Sequence, residues 1–365
     1  MRFATVTLMS RSIRNFPFSK VAGPVRFAVF ALVLLCTARY GSAQNTPLIS
    51  GGVGFFTSTN GGDTSYQPTI QPLLAAPIGN RFLIESRAIL LEEYFPKGPG
   101  QPGYDHTGVV SLVYLEGDYF LTPHITIVGG SFLLPFNTYN ERLSEIWIGN
   151  FQDGPLIASL GTMATGTGLG GMLRGSAISR PKYSIDYAAW FSARSANEEF
   201  NTERSSGIRT SLYLPPSRLE IGLSYDRLLQ GPPGTEGENF YGSHVWWEPK
   251  NSNFRLRSEF GRGHHAQGYW VEADYRTQAF GGPDSWTGRF EPVFRIQQTF
   301  RRDTIASDGL PLVNTQRADF GLDYNLPHNT RILTSYARQF SSSGNENIWE
   351  TGIVYRFLFP TWKGK

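Results

Sequence analysis

Polarity that alternates with a two-residue period, a basic and then apolar leader, and connections that alternate between tight and long predict an all-β chain. The expected fold is a transmembrane antiparallel up-and-down β-barrel of sixteen strands with one inward-folded constriction loop. The clearest alternation sets Ser184, Asp186, Ala188, Trp190, Ser192 and Arg194 against Tyr183, Ile185, Tyr187, Ala189 and Phe191. Successive strand side chains point to opposite faces, so such a segment lies between an apolar and an aqueous environment.

The leader comes first. Arg2, Arg11, Arg14, Lys20 and Arg26 precede an apolar run from Phe27 to Cys36 and then Gly41-Ser42-Ala43, which reads as a signal peptide over 1–43. Leu35 stands before Cys36 where a lipid-attachment site needs a small side chain, which argues against lipidation. With Arg39 the leader holds six basic residues and no acidic one, so the net charge of +3 becomes −3 over 44–365. Loss of Cys36 leaves that region without cysteine and excludes a disulfide framework. It has no apolar run of about 18 residues, which leaves a barrel as the way to span a membrane. No long basic run suggests nucleic acid, and no internal repeat is apparent.

Alternation and breakers together place strands near 49–58, 67–77, 80–93, 108–121, 124–134, 162–175, 182–194 and 204–214. Eight more fall near 217–229, 238–248, 252–261, 265–278, 286–301, 313–325, 328–341 and 346–358. Connections after even strands are mostly tight, as at Pro123-His124 and Pro327-His328-Asn329. Those after odd strands are mostly longer, as from Phe95 to Thr107 and from Asp303 to Leu312. Bacterial outer-membrane barrels have this asymmetry between their rims. A short connection near Arg262–His264 and a long one near Phe280–Ser285 depart from it.

The longest gap, about 135–161, holds Glu141, Arg142, Glu145, Trp147 and Asp153, and a loop of this length calls for a function. The sixth strand carries Ala164, Gly166, Gly168 and Gly170 on one face. A bare strand face marks close backbone approach, so the loop is expected to lie against it inside the barrel. Gly166-x-Gly168-x-x-Gly171 also matches a dinucleotide fingerprint, but no helix follows and Pro181 intervenes, so no nucleotide or other cofactor is expected.

The passage Gly129-Gly130-Ser131-Phe132-Leu133-Leu134-Pro135-Phe136-Asn137, with Asn140-Glu141-Arg142 and Trp147, resembles bacterial outer-membrane porins of the phosphate-selective type. The resemblance implies a homotrimer of sixteen-stranded barrels, each with a pore narrowed by the loop after the fifth strand. After the leader the lysines are Lys97, Lys182, Lys250, Lys363 and Lys365, a departure from the lysine clusters associated with phosphate-selective members.

The polar faces assign Arg81, Glu85, Arg87, Glu116, Asp118, Arg209, Arg255, Arg257, Glu259, Arg289, Glu291 and Arg295 to the lumen. Glu272, Asp274, Arg276, Arg317, Asp319, Asp323, Glu350 and Arg356 join them. A wall of both signs suits passive diffusion of small polar or ionic solutes; the same pairs also serve as salt bridges stiffening the wall. The opposite faces, with Phe260, Ile296, Phe320, Leu322, Ile353 and Tyr355, suit outer-membrane lipid. Tyr119, Trp190, Trp247, Tyr269 and Trp349 are candidates for the interface girdles. The six histidines form no Ser/His/Asp constellation, and adjacent His264 and His265 lack metal-site spacing, so neither catalysis nor a metal is expected. A non-conducting structural or adhesion barrel is the alternative function, and an outer-membrane enzyme a more distant one.

Overall fold

The computed structural model describes residues 46–98, 101–158, 166–195, 202–231, 237–303 and 310–360. The leader, 162–165 of the expected sixth strand with Ala164, and the tail from 361 lie outside the described residues.

Sixteen strands run through the described residues. They are β1 (Leu48–Asn60), β2 (Asp63–Ile78), β3 (Phe82–Pro96), β4 (Tyr104–Thr122), β5 (Ile125–Leu133), β6 (Thr167–Ser179), β7 (Ser184–Ala193) and β8 (Arg204–Leu214). The others are β9 (Leu219–Gln230), β10 (Asn239–Trp247), β11 (Phe254–Arg262), β12 (Ala266–Tyr275), β13 (Phe290–Arg301), β14 (Thr315–Leu326), β15 (Thr330–Ser341) and β16 (Gly344–Pro360). Each pairs antiparallel with its sequence neighbours, and β1 pairs with β16 from Leu48↔Pro360 to Asn60↔Ile348. The sheet is therefore a closed barrel without an edge, and every strand ladder is satisfied without solvent. No helix among the described residues is long and apolar enough to cross a membrane.

The core is inverted relative to a soluble protein. Phe55, Phe191, Ile208, Leu223, Ile296, Phe320, Leu322, Ile353 and Tyr355 are exposed on the outer surface, whereas Glu116, Asp118, Arg257, Glu259, Arg295, Arg317, Asp319 and Glu350 are buried. A charge on a lipid-facing wall costs about 2–4 kcal/mol at the bilayer midplane, which gives the partition its motive. Trp190 corrects the girdle expectation. It is 4% exposed and its Nε1 donates to Asp226 Oδ1 at 2.7 Å, because it shares the parity of Ser192 and Ala188 rather than of Phe191. Tyr119, Tyr269 and Trp349 are exposed on the outer surface.

The connections refine the expected asymmetry. β1 and β2 join through Gly61-Gly62, both with positive φ (61° and 96°), so a two-residue hairpin replaces the longer connection expected there. β15 and β16 likewise turn tightly, with Ser341 paired to Gly344. β13 starts at Phe290 rather than near 286, because Thr277–Phe280 and Thr287–Arg289 form 3-10 turns. Thr277 Oγ1 ties them together through the carbonyl of Thr287 at 2.5 Å and reaches that of Phe290, at the start of β13, at 2.8 Å. β4 starts earlier than expected, at Tyr104, which pairs with Pro96.

Candidate functional site: a chain segment strapped inside the barrel

Between β5 and β6 the chain leaves the wall at Leu134, forms the single-turn helix α1 (Tyr139–Arg142) and is described as far as Ala158. Asn140 holds the exit in place, its Nδ2 donating to the carbonyls of Leu134 (3.1 Å) and Gly166 (2.9 Å). Asn137 adopts a left-handed φ of 55°, and its Nδ2 reaches the carbonyl of Phe260 on β11 at 3.0 Å. Glu259 Oε1 then accepts three donors, the Thr138 and Tyr139 amides and the Thr138 hydroxyl, each at 2.7 Å. One buried carboxylate thus organises the start of α1.

From α1 onward charged side chains bind the segment to strands all round the barrel. Arg142 forms a two-pronged bond to Glu220 on β9 (2.8 and 3.1 Å), and its guanidinium lies 5.5 Å from the Trp246 ring. Arg209 on β8 donates to the Asn137 carbonyl at 2.6 Å and pairs with Glu141. Arg87 on β3 pairs with Glu145 at 2.7 Å and reaches Ser144. Burial pushes the Glu145 carboxyl above the ordinary carboxylate range, and Arg87 pulls against it.

Farther along, Asn150 donates to Glu272 (3.1 Å) and Asp274 (3.3 Å) on β12, and Arg331 on β15 donates to the Gly149 carbonyl. Arg295 on β13 donates to the Asp153 carbonyl at 3.1 Å, Arg317 on β14 pairs with the Asp153 carboxylate at 2.8 Å, and Gln297 accepts the Leu156 amide at 2.7 Å. Partners on β3, β8, β9, β11, β12, β13, β14 and β15 stand on all sides of the cylinder. A single segment reaches them only from within.

Apolar side chains complete the anchorage: Ile146 and Trp147 pack against Phe56, Leu333 and Val354, and Leu143 and Ile157 pack with Trp270. Between α1 and the wall remains a cavity of about 110 Å³, lined by Glu85, Tyr114, Glu116, Glu141, Glu145 and Arg174. Arg174 pairs with Asp118, and its Nη2 lies 3.8 Å from Glu116 Oε1.

Most of the expected lumen residues meet in this network. Arg255 pairs with Asp274 at 2.6 Å and with Glu291, Arg257 with Glu272 at 2.6 Å and Asp274 at 3.0 Å, and Arg295 with Asp319 at 3.4 Å. Arg81 and Arg289 lie elsewhere, each in a connection just before its strand, Arg81 exposed before β3 and Arg289 closing the 3-10 turn before β13. Of the glycine face, Gly166 bonds the segment through its carbonyl, and a Cβ on Gly168 would stand 3.1 Å from Leu134 and Phe132. Gly170 differs: a Cβ there would strike the Phe191 carbonyl of neighbouring β7, so its bareness serves strand pairing and not the loop. Arg174, Glu220, His244 and Arg331 escaped the sequence reading, although all four share the inward parity of buried residues in their own strands.

A closed sixteen-stranded barrel, apolar outside and charged within, with a long segment after the fifth strand strapped across it, defines a porin-type fold. No protein-family model and no curated protein matches the chain. Among solved structures it is similar to OmpF of Salmonella typhi, in complex with daunomycin, with a TM-score of 0.58 and 11% identity over 87% of this chain and 99% of that one. The anion-selective porin from Comamonas acidovorans gives 0.56 and 11% over 86% and 100%, and OmpT, an outer membrane protein of Vibrio cholerae with loop L8 deleted, 0.56 and 8% over 86% and 99%. At such identities the likeness is one of fold.

Proposed function

We propose that the chain is an outer-membrane porin that lets small polar or ionic solutes diffuse passively through its lumen, after export by a leader cleaved near Ala43. The observation that carries this reading is a closed wall with lipid-compatible side chains outside and paired charges inside; in this reading the segment 134–158 is the constriction. The likeness to porins and the resemblance of residues 129–147 to phosphate-selective members support it, and by the same analogy the assembly is a homotrimer with one pore per barrel. Phosphate selectivity is not part of the proposal, because carboxylates outnumber guanidiniums along the narrow gap beside α1.

One observation favours a second reading, a barrel that does not conduct: the segment is bonded to strands from β3 round to β15, and the cavity beside α1 measures about 110 Å³. Purified protein added to a planar lipid bilayer separates the two. Discrete, stable current steps are expected of the porin, and a folded protein that gives none overturns that reading in favour of the closed barrel.

A further inference from the structure

We propose that the gap between α1 and the β3–β6 wall is the narrowest point of the permeation path and passes small cations in preference to anions. This rests on the porin reading and adds a substrate class to it.

Geometry fixes the place. Bonds from Asn137, Thr138, Arg142, Asn150, Asp153 and Leu156 tie the segment to strands from β9 through β14. Arg87 fastens its other flank to β3 through Glu145. Among the described residues a cavity of about 110 Å³ lies beside α1, in the part of the lumen between Arg209 on β8 and Arg87 on β3. That volume holds about three or four waters, room for an inorganic ion with part of its shell.

Charge fixes the preference. Glu85, Glu116, Glu141 and Glu145 line the gap, and Asp118 stands beside them, its carboxylate within 4.8 Å of those of Glu85 and Glu116. The guanidiniums nearest these groups are Arg174 across the gap, Arg87 on Glu145 and Arg209 on Glu141, with Arg142 and Arg356 farther off. The gap itself is lined by four carboxylates and one guanidinium. An independent observation points the same way: Glu116 is only 8% exposed and lines the gap, yet its carboxylate makes no hydrogen bond among the described residues and its nearest guanidinium, that of Arg174, stands 3.8 Å away. A carboxylate buried in this way without a donor is costly, and a passing cation or its water supplies what is missing.

The test is the reversal potential of the full-length protein, processed by its host, in a planar bilayer under a KCl gradient. A potassium-over-chloride permeability ratio of at least about fivefold is expected, since a net charge of this kind a few ångströms from the ion acts through little water. Glu116→Gln and, independently, the more accessible Glu85→Gln should each lower the ratio. Asp284→Asn, in the exposed connection before β13, should leave it as it was. Heat-dependent gel mobility reports whether each variant is folded, and Glu85→Gln carries the test if Glu116→Gln does not fold. Conductance with a chloride preference, or with none, overturns the inference and leaves the porin reading standing. A cation preference that survives both substitutions overturns the assignment to this gap, and absence of conductance overturns the porin reading itself.

Discussion

Gly168 shows what a single residue decides in this lumen. A Cβ there would stand 3.1 Å from Leu134 Cδ2, at the point where the chain leaves the wall, and equally close to the Phe132 ring. Gly168→Leu adds three further carbons to a full space, and overpacking of that kind costs about 1–3 kcal/mol. The segment is held by side-chain bonds and the wall by continuous ladders, so the segment is the part that yields. Single-channel conductance should change in a variant whose barrel is intact; an unchanged value would show that Leu134 does not set the position of α1. Glycines in a strand were a legible signal because they remove the side chain that otherwise keeps two backbones apart. Arg174 was hidden by that same signal, since the glycines at 166, 168 and 170 dominate the reading of this face and Arg174 lies beyond them, after the buried Met172. Arg331 has the inward parity of Ser335 and Gln339 and was legible from that parity, although the apolar Leu333 and Ala337 between them blur the alternation of β15.

At the scale of elements, two-residue alternation located all sixteen strands, because lipid and lumen impose opposite demands on successive side chains. It failed at ends, where neither demand acts. Trp286-Thr287-Gly288-Arg289 alternates like a strand, yet a Cβ on Gly288 would collide with the Gly282 carbonyl, and the chain coils into a 3-10 turn. Alternation also says nothing about where a long connection goes, so the inward path of the segment was legible only through the glycines of β6. What fixes it there is a set of charged bonds, of which the two-pronged pair of Arg142 and Glu220 is the most nearly ideal in geometry. A double-mutant cycle with Arg142→Ala and Glu220→Ala, read from the rate of protease cleavage within 134–158, should give a coupling of about 1–3 kcal/mol. Additive effects would mean that apolar packing of Leu143, Ile146 and Trp147 holds the segment without the pair.

The whole molecule depends on closure, which no local pattern announces: β1 and β16 lie at opposite ends of the described chain and still match over thirteen paired positions. The argument for closure is thermodynamic, since an open edge in a bilayer would leave a row of amides and carbonyls with neither water nor protein to bond. The same medium dictates which side of the cylinder is apolar, and this gives the fold a test of its own. Phe320 is 58% exposed near the middle of β14, its ring tilted by 46° against that of Phe294 with centroids 4.8 Å apart. If lipid covers that surface, Phe320→Arg costs about 2–4 kcal/mol beyond the loss of the ring, which Phe320→Ala measures separately. If water covers it, an arginine there costs little more than alanine, because its guanidinium is hydrated and its stem packs on Phe294. Denaturant unfolding of the two variants from lipid vesicles distinguishes these cases by the difference between them. A difference near zero would remove the membrane from the outer face, and with it the reason for placing an aqueous path on the inner one.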